Sequence, residues 1–445
     1  MALRADREVV LLAAVALLAR GTALTFGVFS FEAIGYVMAG VLLAAFALRA
    51  GDGAAGKGGW AGAVAVCAVT TFAYAPLLHV AVETDLAALL LVSAVLAVLA
   101  RRFVSVAAAV VVASAVAAML VVAWRWGSVD IDVFRSLQNA SAAVLHGANP
   151  YSTTFAANVV VGPSPHFVER TIHFQYLPGV AFLAAAVRPL GDVRLMSLLA
   201  SLLTIAFAVA LARQPRSAGV SQWRVLLLCL ALPLTVPMVH NAWVDVYSVA
   251  GFAGWITLRR GHSRWALVCL ALSLTIKPTI LIALVPAFAW SRRARREILG
   301  AGVMAAIVIL PFALLTGPAA FYQDVIGVQA SLGFRVDGLT VTSALYALGG
   351  QLPAVWFAFA VGALVTLFAL RRRPRDLSDV LIAGALLSAT AFMVSKWAFL
   401  NYYYLPVWLL VLALAARGIA FDAEADVALP MLALAPVRRM GMASR

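Results

Sequence analysis

Charge is scarce in this chain of 445 residues: only 12% are Asp, Glu, Lys or Arg, against 64% apolar. That is too little polar material to clothe a water-soluble globule of this length, so an ordinary soluble domain is excluded. Cysteine is scarcer still. Cys67, Cys229 and Cys269 lie in separate apolar runs with no CxxC pair, which argues against a disulfide framework or a cysteine-based zinc site. No Gly-rich phosphate loop, HExxH or GxSxG occurs, so a cytosolic nucleotide-sugar or ATP donor is disfavoured and no metal dependence is indicated. Basic strands interleaved with aromatics are also missing, and the net charge of +14 therefore does not point to nucleic acid. Internal repeats are not evident.

What remains is long apolar sequence. Crossing a hydrocarbon layer of ~30 Å takes about 20 helical residues, and continuous rather than alternating runs of that order recur. The spacing predicts an all-α polytopic membrane protein with spans at 8–29, 33–49, 60–82, 86–100 and 103–125. After a polar segment come 176–189, 195–212, 223–239, 243–258, 265–290, 298–316, 339–370 (divided at Gly349-Gly350 and Pro353), 378–395 and 402–419. The first run is read as a retained helix rather than a signal peptide, because Arg20 interrupts it and no small-residue cleavage site follows. Four regions result: N-terminal transmembrane helices (1–126), a polar loop (127–175), a helix bundle with outer-face loops (176–420) and a cytoplasmic or disordered tail (421–445).

The excess positive charge sits in short clusters between these runs: Arg101-Arg102, Arg213 to Arg216, Arg259-Arg260, Arg292 to Arg296 and Arg371 to Arg375. Such clusters mark cytoplasmic loops, which places the 127–175 segment on the extracytoplasmic face of the plasma membrane. One parity conflict follows. Arg264 and Arg292 both read as inside, yet a single run separates them, so it is either a broken hairpin or one kinked span. The break would fall at Lys277-Pro278, since proline removes a backbone donor and disfavours helix in the residue before it.

Polar residues then cluster at one face. In "SVDIDVFRSLQNASAAVLHGANPYS", Ser128 or Asp130 can cap an amphipathic helix with Phe134, Leu137, Val144 and Leu145 on one face, stopped by Gly147 and Pro150. Arg135, Gln138, Asn139 and His146 turn to water, as on a helix lying at a membrane surface. Asp130 is a base at a membrane mouth or simply an N-cap; Asp132 is the reserve, two residues on. "HFQYLPG" contributes His173 and Tyr176, and "VHNAWVDVY" contributes His240, Asn241 and Asp245, an acid that needs a partner or a wet cavity near hydrocarbon. "SLGFRVDGLT" carries Arg335. "KWAFLNYYYLP" carries Lys396, Asn401 and Tyr402. Cations on the outer face run against the positive-inside bias and invite an anionic ligand. Carboxylates facing separated cations suit transfer from a lipid phosphate: one group takes a hydroxyl proton while Arg or Lys steadies the departing charge.

The pattern Asp130-x-x-Val133-Phe134, then Gly147-Ala-Asn149-Pro150-Tyr151, then Phe174-x-Tyr176-x-Pro178, resembles the integral-membrane GT-C glycosyltransferases that use polyprenol-phosphate-mannose. The likeness is greatest to the actinobacterial mannosyltransferases that elongate phosphatidylinositol mannosides and lipoglycans, and it runs from about residue 120 to 410. Phe134 stands where that family usually has Tyr, Leu177 loosens its Tyr-Pro-Pro, and Asn401-Tyr402 lacks the histidine of its His-Tyr-like pair. The resemblance implies a GT-C-type helix bundle with a large extracytoplasmic first loop, and Asp130 as catalytic base. It implies Lys277, Arg335, Lys396, His240, Asn241 and Asp245 around the donor phosphate or sugar, and Tyr151, His173, Tyr176, Asn401 and Tyr402 in the acceptor pocket. The implied partners are a polyprenyl-phosphate-sugar donor, a glycolipid or lipoglycan acceptor and membrane lipids, with no cofactor and no nucleic acid. Three alternatives stay open: another lipid-linked sugar such as arabinofuranose, a transporter or lipid flippase, and a non-catalytic scaffold.

Overall fold

The computed structural model describes residues 6–25, 27–50, 62–67, 131–160, 167–214 and 221–421. Asp130, the alternative cap Ser128, the expected spans 86–100 and 103–125, most of 60–82 and the tail from 422 onward lie outside the described residues.

Helices α1 (Arg7–Leu24) and α2 (Phe31–Ala47) form an antiparallel pair capped by Asp6 and Ser30, whose side chains accept from Glu8 N–H and Ala33 N–H. Their turn needs glycine. Gly27 has φ +74°, and a Cβ there would stand 2.1 Å from the backbone nitrogen of Leu400. The polar segment begins with α3 (Asp132–Leu145) and continues as an antiparallel hairpin, β1 (Thr154–Val160) with β2 (Phe167–His173), in register Thr154 to His173. Then follow α4 (Pro178–Val187), α5 (Arg194–Ala212), α6 (Gln222–Ala231), α7 (Thr235–His240), α8 (Asp245–Leu258), α9 (Ser263–Leu274) and α10 (Ile280–Trp290). The chain closes with α11 (Arg292–Thr316), α12 (Pro318–Tyr322), a π-turn Gln323–Gly327, α13 (Val328–Ser331), α14 (Val341–Gly349), α15 (Val355–Leu370), α16 (Leu377–Met393) and α17 (Leu400–Ala415).

The described chain is thus mainly helical, with a small two-stranded sheet that the all-α expectation missed. Its sequence signal was present: "VERTI" is rich in β-branched residues, and Gly162-Pro163 lies between the strands. Helix α3 also differs from expectation. Its buried face is Val133, Ser136, Leu137, Ala140, Ser141 and Ala143, while Leu145 is exposed. The face is rotated because α3 packs against α4.

The helices run between two ends. At one, Arg7 of α1 reaches Asp376 and Asp379 at the start of α16, and Arg417 beyond α17 pairs with Glu8. Here too Arg259 after α8 and Arg293 of α11 share Glu297. The opposite end holds the α1–α2 turn, the start of α8, the Lys277 break and the start of α17. Both ends of the 263–290 stretch lie at the arginine end, because Ser273 of α9 donates to Ser248 O near the start of α8, and Arg293, just past α10, donates to Arg259 O. The run is therefore a broken hairpin of 12-residue and 11-residue arms, not a kinked span. Arg264 and Arg292 therefore lie at the same end of the bundle, as the hairpin alternative requires. The 339–370 run divides as expected, with Gly350 at φ +66° closing α14.

Helices α8, α16 and α17 are buried almost throughout and form the core. Among the described residues two helices, α5 and α11, are long and apolar enough to cross a membrane. Leu299, Val303, Ile307, Leu310 and Leu314 make an exposed apolar stripe along α11, and Trp356, Phe359, Leu364 and Leu367 are exposed on α15.

Candidate functional site

A cavity of about 830 Å³ opens at the end away from the arginine clusters, between the start of α3, the hairpin, the α9–α10 break and the 332–337 and 395–402 loops. The break sets its floor. Pro178 opens α4, and Gly179 comes so near α9 that a Cβ would meet Thr275 Oγ1 at 2.1 Å; its N–H donates to Thr275 O. Two residues later Lys277 leaves the helix and its ammonium donates to Asp245 Oδ1 at 2.9 Å. The other Asp245 oxygen accepts from Asn401 Nδ2 at 3.1 Å. Asp245 itself is 5% exposed and stands behind the wall, holding Lys277 and Asn401 in place.

Tyr402 completes this group. Lys277 Nζ lies 4.2 Å from its ring centre, and Trp397 Nε1 donates to its hydroxyl. Across the cavity Arg335 makes a bidentate bond to Asp337, at 2.7 and 2.5 Å, with its guanidinium over the Phe399 ring. Lys396 donates to Ala330 O and Leu332 O and faces Trp397. No carboxylate pairs with Lys396 among the described residues. Burial lowers its pKa.

Asp132 lines the cavity from the first turn of α3, where one of its oxygens accepts from Val133 N–H at 2.8 Å. Burial raises its carboxyl above the ordinary value, against the opposing pull of that bond and of nearby Arg335. A half-buried acid so perturbed is suited to holding and releasing a proton. Helix α3 begins after Ile131, which caps it without a side-chain bond.

Of the residues singled out in the sequence, Asp132, Tyr176, Lys277, Arg335, Lys396, Asn401 and Tyr402 line the cavity, and Asp245 supports it. Tyr151 and His173 stand behind. The Tyr151 hydroxyl donates to Tyr176 O at 2.7 Å, and His173 Nδ1 lies 3.1 Å from Tyr151 O. Tyr151 also packs edge-on to Phe174 and Phe321, and Asn149 ties the turn to Thr316 at the end of α11. His240 and Asn241 are not in the lining; the Asn241 amide donates back to Pro237 O and closes α7. Sequence reasoning missed Gln329, whose amide donates to Gln175 at 3.0 Å across the cavity, because its short helix carries no periodic signal. Among the described residues, no three His, Cys, Asp or Glu side chains gather as metal ligands. Comparison with protein-family models, curated proteins and solved structures gives no match.

Proposed function

We propose that this protein is an integral-membrane glycosyltransferase that moves a hexose, with mannose the first choice, from a polyprenyl-phosphate donor to a lipid or lipoglycan acceptor on the extracytoplasmic face. The observation that carries the reading is the cavity's charge arrangement. An acid perturbed by burial, within reach of the Arg335 charge, shares the cavity with the carboxylate-free ammonium of Lys396 and the ion-paired Lys277, at the end opposite the arginine clusters. Those clusters favour the cytoplasm, which leaves the cavity outside.

In this reading the polyprenyl phosphate lies toward Lys396, Arg335 and Lys277. A carboxylate at the head of α3 takes the acceptor hydroxyl proton. The freed oxygen attacks the anomeric carbon, the bond from that carbon to the phosphate oxygen breaks, and configuration inverts. Asp130 is the base by its motif and Asp132 the reserve by its place in the cavity. The aromatic walls of Tyr176, Tyr402 and Trp397 suit the apolar faces of sugar rings, and the cations stabilise the charge that collects on the departing phosphate.

The test is transfer of labelled sugar from synthetic polyprenyl-phosphate-mannose to extracted membrane lipids by the purified protein, with the arabinofuranose donor in parallel. Glycolipid product supports the class and names the sugar. No product from folded protein with either donor removes it. A second reading, a transporter, draws on one observation: the Asp245–Lys277 pair at a helix break could gate a substrate path. Donor-independent lipid movement across vesicles would favour it.

A further inference from the structure

A second, smaller pocket of about 270 Å³ lies at the arginine end. Four helices border it, with α16 contributing Asp379. Arg49 follows α2, Trp290 ends α10, and Phe368 with Arg371, Arg372 and Arg373 comes from the end of α15. It is remote from the cavity: α16 carries Asp379 at this pocket and Phe392 at the other, and at 1.5 Å per helical residue the two lie roughly 20 Å apart.

The pocket is a fixed structure rather than a loose basic loop. Arg375 donates to Asp379 and to the carbonyls of Leu48 and Ala50, which pins the end of α2 to the segment after α15. The Arg49 guanidinium rests 4.4 Å from the centre of the Phe368 ring, which sets its direction. Asp379 is already bonded by Arg7 and Arg375. Arg49, Arg371, Arg372 and Arg373 are exposed and form no ion pair among the described residues. Arginines after a helix also complement its dipole, but that accounts neither for Arg49, which arrives from α2, nor for the aromatic wall of Trp290 and Phe368.

We propose that this pocket binds the phosphate of an anionic lipid headgroup. The guanidinium groups supply planar donors for phosphate oxygens, while Trp290 and Phe368 supply an amphipathic and an apolar wall for the glycerol region. A lipid is favoured over a free anion by continuity: the exposed apolar surface of α15, from Trp356 to Leu367, leads directly to the arginines. The inference rests on the membrane setting of the chain and is independent of the transfer reaction, so either can fail without the other.

The test is native mass spectrometry of the full chain from detergent, titrated with phosphatidylglycerol, phosphatidylcholine or inorganic phosphate. Retention of phosphatidylglycerol over phosphatidylcholine is expected, with roughly tenfold weaker retention in the Arg371→Gln/Arg372→Gln/Arg373→Gln variant and an intermediate loss in Arg49→Gln. A control variant, Arg264→Gln/Arg292→Gln/Arg296→Gln, removes as much exposed charge from the same end and should retain the lipid. Equal loss in the control would reduce the effect to general surface charge and overturn the site. Equal retention in all variants would overturn it too. Displacement of the lipid by millimolar inorganic phosphate would make a free anion the occupant and overturn the lipid assignment. The circular dichroism and melting temperature of each variant are read beside the titration, and Arg49→Gln supplies an independent single-site answer.

Discussion

The two ends of the bundle use the same kinds of side chain in opposite ways. At the arginine end Arg7, Glu8, Asp376, Asp379 and Arg417 are all nearly withdrawn from solvent and, with Arg375 on Asp379, pair off their charges, clamping the first helix to the last two. At the cavity end Lys277, Arg335 and Lys396 are also held, but each is held at a wall, with its charged group beside an open volume. The contrast separates charge that closes a structure from charge that waits for a ligand. Burial alone does not make the distinction, since Asp245 is as buried as the clamp residues; what matters is that its partners border a space.

The largest expected effect breaks the cavity end without touching the fold. Asp130→Asn and Asp132→Asn are compared in a sugar-transfer assay, where loss of the general base should cost roughly 10²–10⁴-fold in turnover with no fall in melting temperature. The variant that keeps near-normal turnover identifies the carboxylate that is not the base.

Next in size is a pair of charge removals that should behave differently at the two ends. Arg7→Met leaves Asp376 and Asp379 with fewer partners, and Lys277→Met leaves Asp245 with Asn401 alone; removing one member of a buried pair costs about 3–5 kcal/mol. Thermal unfolding should report both. Adding Asp245→Asn to Lys277→Met should recover most of the lost stability yet leave transfer low, whereas Arg7→Met should lose activity only in proportion to folded protein.

A smaller effect concerns pH. The ionised form of Asp132 is the one a base requires, and burial raises its pKa, so turnover that depends on it should fall on the acid side with a midpoint above that of an ordinary aspartate. The same raised value makes ionisation unfavourable for folding. Its stabilising contribution is fully present below the unfolded-state value and is lost as pH rises through the folded-state value. Asp132→Asn should remove that dependence, and a pH series of melting temperatures checks it. The smallest expected change is Asn149→Ala. It loses the cap on Tyr151 N–H and the bond to Thr316, for about 1–2 kcal/mol in a denaturation midpoint.

Much of this arrangement was legible in the sequence, and for stated reasons. Pro278 after Lys277 marked a break, as hairpin or kink, Gly350 and Pro353 announced the division of the 339–370 run, and polar residues interrupting apolar runs marked where the cavity forms. The rest depends on tertiary contacts. Nothing local says that both oxygens of Asp245 are taken, because Lys277 is 32 residues away and Asn401 is 156. The rotated face of α3 is set by α4, and the hairpin was hidden by reading a polar stretch as loop when its β-branched residues favoured strands. His240 and Asn241 resembled site residues because they are polar amid apolar sequence, yet the Asn241 amide is spent on its own backbone.

The measurement that tests the central claim most directly is binding of a polyprenyl phosphate, the product common to any sugar in this reading, to the protein in lipid nanodiscs. Wild type is set beside Arg335→Gln/Lys396→Gln, with melting temperatures taken in parallel. The account predicts saturable binding that weakens by about tenfold or more in the variant, each charge-assisted contact contributing about 1.5–3 kcal/mol at most, while the fold is kept. Undiminished binding by a folded variant, or none by the wild type, would contradict it.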